Sequence, residues 1–196
     1  MTTMSNFRRR AIHVAIACAS VFGTSSSVLL AEEPAFGETP ALEAWASVYQ
    51  VLTSPRCRNC HPVGDAPLNG NLGLPHAMNV SRKSPEAGLP CTTCHREENG
   101  RDPGSPPGVP GWHMPPREQP MPFEKRTSRE LCLQIQDPTK NGGRTLASLV
   151  EHVASDKLVL WAWNPGPGRA RPPISHDELV AKTRTWVDAG GPCPAK

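Results

Sequence analysis

Cys57-Arg58-Asn59-Cys60-His61 recurs 34 residues later as Cys91-Thr92-Thr93-Cys94-His95. In each copy two thiols three residues apart are followed at once by an imidazole, the C-x-x-C-H pattern of c-type haem attachment. Each thiol can add to one vinyl group of a porphyrin, and the histidine is then placed to bind the iron from one face. Paired C-x-x-C segments also suit a four-cysteine zinc site, two disulfides or a thioredoxin-like dithiol. None of these needs a histidine after both second cysteines, and the chain lacks the βαβ pattern in which a redox dithiol sits. The spacing therefore predicts two covalently bound haem c groups, held by Cys57, Cys60, Cys91 and Cys94, with His61 and His95 as proximal iron ligands.

Ligands for the opposite iron faces are sought among the remaining histidines and methionines. Pro75-His76-Ala77-Met78 follows the first motif and Gly111-Trp112-His113-Met114 the second, so His76 and His113 are the first candidates. Met78, Met114 and Met121, the last between Pro120 and Pro122, are the thioether alternatives. His152, at the edge of an apolar helical face, reads as structural, and His176, in a first helical turn, as a surface residue. Arg82, Lys83, Arg96, Arg117 and Arg144 are candidate partners for haem propionates.

The elements that must position these groups are helices and long loops. Thr39-Pro40 reads as an N-cap with proline at the first helical position, followed by Leu42, Trp45, Val48, Tyr49 and Leu52 at helical spacing. Thr127-Ser128-Arg129-Glu130 and Ser175-His176-Asp177-Glu178 have the capping-box form, and Leu146, Leu149, Val150 and Val153 mark a further helix from about Thr145 to Ser155. Residues 62–90 and 102–122 are rich in proline and glycine without a sustained period, and read as loops wrapped on a cofactor. Leu158 to Pro165 reads as an apolar run closed by a turn that packs on a haem face. No strand is expected. The predicted fold is mostly α: a di-haem cytochrome c-like domain with haem-wrapping loops and a helical C-terminal third.

Arg8-Arg9-Arg10, the apolar run Ala11 to Ala19 and a small-residue stretch ending at Ala31 read as a secretory signal peptide over residues 1–31, leaving one domain over 32–196. Cys18 falls inside that segment. Four further cysteines are assigned to haem, so Cys132 and Cys193 are expected to pair in an oxidising compartment. The formal charge of +3 is that of the three N-terminal arginines, so the remainder is balanced and has no basic stripe for nucleic acid. No membrane span is expected after residue 31.

Beyond the motifs, Cys57 to Val63, Pro75 to Val80, Asn141-Gly142-Gly143-Arg144, Leu158 to Pro165 and Ala189 to Pro194 resemble a family of small exported di-haem c-type cytochromes of Gram-negative bacteria. Members are often labelled isoquinoline 1-oxidoreductase subunits. The resemblance implies haem at both motifs and supplies no catalytic residue. Together with the motifs it implies a periplasmic electron-transfer protein, not an enzyme, whose expected redox partners are a dehydrogenase or molybdenum hydroxylase as donor and the respiratory chain as acceptor. The alternatives are a di-haem peroxidase and a haem-based ligand sensor.

Overall fold

The structure, a computed structural model, describes residues 39–196; the segment read as a signal peptide lies outside them. Helix α1 (Pro40–Leu52) starts where Thr39 Oγ1 accepts the Leu42 amide at 3.3 Å and proline occupies the first turn. Its Ala41, Ala44, Trp45, Val48 and Val51 recur at helical spacing and are all buried. A short helix, α2 (Pro55–Arg58), follows directly and carries the first cysteine of the first motif. Helix α3 (Ser128–Gln136) opens on a reciprocal capping box between Thr127 and Glu130, and α4 (Leu146–Ser155) on a Thr145 cap. Asp156 ends α4 and caps the five-residue α5 (Lys157–Trp161), accepting the Leu158 and Val159 amides. The last helix, α6 (His176–Asp188), is capped by Ser175.

These helices form one core. α6 packs chiefly on α1 and then on α4, while α3 lies against α1. Trp45 and Trp186 meet at 4.9 Å between ring centroids, and Val51, Leu131, Leu149 and Leu179 close around them. Each buried indole keeps a hydrogen-bond acceptor: Trp45 Nε1 donates to Ser128 Oγ and Trp186 Nε1 to the Pro192 carbonyl, both at 2.9 Å. Cys132 in α3 is disulfide-bonded to Cys193 in the tail, with Cα atoms 5.6 Å apart.

Residues 58–120 contribute no buried side chain to that core. They run as loops, with single 3-10 turns at Ala77–Asn79 and Cys91–Thr93 and a ribbon of β1 (Leu68–Asn69) antiparallel to β2 (Leu74–Pro75). The ribbon hangs on the first motif: Leu68 N donates to the Asn59 carbonyl at 2.9 Å, and Asn59 Nδ2 to the Gly70 carbonyl at 2.8 Å.

This architecture corrects the expected fold. Helix, 3-10 turns included, covers about 38% of the described residues and a short strand pair is present, so a mostly α, di-haem cytochrome c-like domain does not describe them. Two-residue strands carry no alternation to read, and the loops between the motifs outweigh the helices around them. The run at Leu158 is a helix, closed by the expected turn at Ala162 and Trp163; four consecutive apolar residues hide a helix whose cap is shared with the preceding one.

Candidate functional site

The two cysteine motifs fold into the same local unit. In the first, the Cys60 amide donates to the Cys57 carbonyl and so does that of His61, both at 3.2 Å. In the second, Cys94 and His95 reach the Cys91 carbonyl at 3.2 and 3.0 Å. Each histidine is then fixed by a distant loop: His61 Nδ1 is 2.8 Å from the Met121 carbonyl, and His95 Nδ1 2.8 Å from that of Pro107. Each ring also lies flat against an aromatic. His61 stacks on Phe123 at 3.9 Å and 5°, His95 on Trp112 at 4.4 Å and 3°. With Nδ1 facing a carbonyl, the neutral imidazole carries its proton there.

Each unit forms part of the wall of a cavity. The first cavity, about 270 Å³, lies between the helical core and the loop at 112–123, and receives Cys57, Cys60 and His61. The second, about 300 Å³, is enclosed by the ribbon and the loops around the second motif, and receives Cys91, Cys94 and His95. Arg56, Cys60, Trp112 and Trp161 line both, so the cavities share a wall. Trp112 and Trp161 meet edge to face at 4.8 Å within it, and the Arg56 guanidinium carbon sits 6.0 Å from the Trp161 ring centroid.

Burial governs the electrostatics. It pushes the Cys57 thiol up to about 12, helped by neighbouring Cys60, and the Cys60 thiol up to about 11. These two sulfurs are protonated at neutral pH and are poor nucleophiles. Burial also lowers His61 to about 4 against the raising effect of its Met121 hydrogen bond, and lowers His95. Among the described residues Asp156 is the sole carboxylate lining the first cavity; it caps α5 and lies 3.5 Å from His152 Nδ1. No described carboxylate lines the second.

The remaining candidate residues are distributed between the cavities. His76, Met78 and Met114 reach the second, where the His76 ring is 5.9 Å from that of His95 and tilted by 53°. His76 Nδ1 turns to the Ala77 carbonyl at 2.7 Å, and Met78 is 84% exposed. His113, Met121 and His152 reach the first. His113 is exposed, with Nδ1 2.6 Å from the Gly111 carbonyl, whereas Met121 is partly buried against the core. His176 is half-buried, its Nε2 2.8 Å from the Val153 carbonyl. Arg82 is buried against Asp65 and three carbonyls, Arg144 faces His152 and Asn141, and Lys83, Arg96 and Arg117 are exposed.

Among the described residues no group of three or more His, Cys, Asp or Glu side chains could hold a metal ion. On that finding the expected di-haem c-type cytochrome family, the two covalent haem c groups and the electron-transfer function do not stand. The peroxidase and haem-sensor alternatives depend on the same groups and fall with them. So do the redox partners, the dehydrogenase or hydroxylase donor and the respiratory-chain acceptor. No helix among the described residues is long and apolar enough to cross a membrane. Comparison with protein-family models, curated proteins and solved structures found no match.

Sequence reasoning missed Arg56, Phe123 and Trp112 as wall residues, whereas Trp161 lies in the Leu158 to Pro165 run expected to pack on a cofactor. Arg56 directly precedes a motif cysteine, and Trp112 precedes a candidate histidine, which are the only local signals. Phe123 and Trp161 reach the site through pairings 62 and 49 residues long, to His61 and Trp112, that no local pattern announces.

Proposed function

We propose that the chain is an exported, non-enzymatic binding protein whose two adjoining cavities each take a rigid, largely apolar organic ligand. The observation that carries this reading is the pair of adjoining cavities, the first between the helical core and the loop at 112–123 and the second in loops without a core of their own. Protein interiors rarely leave voids larger than a water molecule. At about 24 cal/mol per Å³, a sealed empty void of either size costs roughly 6–7 kcal/mol. Such a cost rivals the whole stability of a typical domain, about 5–15 kcal/mol. The cavities open to solvent, so the figure is an upper bound, but apolar mass filling them supplies the loops at 58–120 with apolar contact that the helical core does not extend to them. The second sits at the lower bound of the roughly 300–1,000 Å³ common for small-molecule sites and the first, about 270 Å³, just below it.

The polar groups in the walls favour binding over catalysis. The Cys57 and Cys60 thiols are held in their neutral form, the one lining carboxylate among the described residues is occupied as a helix cap, and burial disfavours the protonated form of both motif histidines. A general acid or base needs a free, suitably poised partner for substrate. Export draws on the arginine-led apolar segment at the N-terminus and on the Cys132–Cys193 disulfide, a bond that persists in oxidising compartments. N-terminal sequencing of periplasmic material is expected to begin near Glu32.

Binding is tested with the neutral fluorophore N-phenyl-1-naphthylamine. Excitation of Trp112 and Trp161, which line both cavities, should pass energy to bound probe and give a saturable signal, together with a rise in Tm. At about 100 times Kd the stabilisation is ~2.7 kcal/mol. No saturable signal and no change in Tm, in protein shown by mass to hold nothing else, would overturn the reading.

A further inference from the structure

The wall between the cavities contains a charge with no counter-charge. Arg56 is only 6% exposed. Its Nη2 donates to the Gly70 carbonyl at 2.9 Å and to Asn71 Oδ1 at 3.2 Å, both neutral acceptors, while its buried Nε has no partner. Among the described residues no Asp or Glu stands within ion-pair distance of it. The groups that face it deepen the imbalance: Arg169 is a second cation, and the Cys57 and Cys60 thiols are neutral at ordinary pH. Arg169 itself lines the second cavity, donates to the carbonyls of Pro165 and Ser105, and has no acid partner among the described residues either.

A buried guanidinium costs several kcal/mol unless it is paired. The loop contacts alone do not require that cost, since a neutral amide could donate to Gly70 and Asn71 equally well. Buried Arg82, by contrast, has Asp65 at 3.7 Å. The uncompensated cation is also one of the four described residues that line both cavities, and the one among them that carries a charge.

We propose that Arg56, with Arg169 beside it, binds a carboxylate carried by the apolar ligand, so that the protein selects apolar acids over their neutral analogues. The inference rests on the binding function proposed above and names its ligand class. The acid enters as its anion, its charge falls between the two guanidinium groups, and the apolar body fills the cavity. Arg56 offers Nη1, which makes no hydrogen bond among the described residues and is not sealed off as Nε is, and a charge-assisted bond of this kind is about twice as strong as a neutral one.

The test compares 1-pyrenebutyrate with 1-pyrenebutanol, the same ring and chain ending in an acid or an alcohol, on the full chain at neutral pH. Wild-type protein is expected to bind the acid about tenfold or more tightly than the alcohol, the range a charged hydrogen bond supplies. In Arg56→Gln the two should bind with near-equal affinity, through loss of acid binding and not of alcohol binding, and Arg169→Gln should narrow the gap partly. Equal binding of both probes by wild-type protein overturns the inference while leaving the cavities as binding sites, and needs no variant to fold. Binding of neither probe overturns the cavity reading itself. An acid preference that survives both substitutions removes the assignment to these arginines.

Discussion

Removing the Cys132–Cys193 bridge by the paired substitution Cys132→Ala and Cys193→Ala should destabilise the protein without rearranging its native fold. The cysteines are 61 residues apart, and the bridge ties α3 to the tail beyond α6. In the chain-entropy account, closing a loop of that length removes ~4 kcal/mol of conformational freedom from the unfolded chain. The native tail has other ties. Arg129 Nη1 donates to the Pro194 carbonyl at 2.7 Å and Trp186 Nε1 to that of Pro192 at 2.9 Å, so the folded state should persist. For a protein of this size each kcal/mol moves Tm by about 2–4 °C, which gives an expected fall of ~8–16 °C. Thermal unfolding followed by circular dichroism, with matched spectra before melting, measures it. A fall under ~3 °C would mean that the unfolded chain is already confined or that the tail contacts hold without the bridge, and would refute the entropic reasoning.

Acid should weaken the fold through His61. Its folded-state value of about 4 lies below the ordinary 6.5 because burial disfavours the charged ring. Between those values the unfolded chain binds a proton that the folded chain does not, so this contribution is complete above about pH 6.5 and falls away toward pH 4. The loss reaches at most ~3 kcal/mol for the one group, and His95 acts in the same direction. A flat urea-unfolding free energy from pH 7 to 4 would contradict it. Gly108→Ala should damage the second cavity, because a Cβ there meets the backbone carbonyls of Arg96 and Glu98, and the shift displaces the neighbouring Pro107 carbonyl from His95. Overpacking against backbone predicts a loss of ~1–3 kcal/mol and weaker probe binding; unchanged Tm and affinity would show that the loop yields freely.

The parts of the fold that were legible in the sequence are those written locally. Thr39-Pro40, the Thr127 and Glu130 pair, Thr145 and Ser175 each mark a helix start within four residues, and the structure caps helices at all of them. α5 escaped because its cap, Asp156, also ends the preceding helix and its body has no polar face to set a period. The site was legible as a pair of motifs but not as a shape. What surrounds the motif histidines is Phe123 and Trp112, brought in by loops whose proline and glycine content says only that they turn. The arginine that matters for ligand charge is likewise distinguished by burial and by the lack of a nearby acid, and neither is a property of sequence spacing.

The central claim is that two adjoining cavities are built to be filled by apolar molecules. Native mass spectrometry of periplasmic protein, before and after incubation with 1-pyrenebutyrate, tests it most directly. The account predicts either mass beyond the bare polypeptide as isolated or uptake of up to two probe molecules per chain, with the two quantities complementary. The mass of the bare polypeptide in both spectra would contradict it.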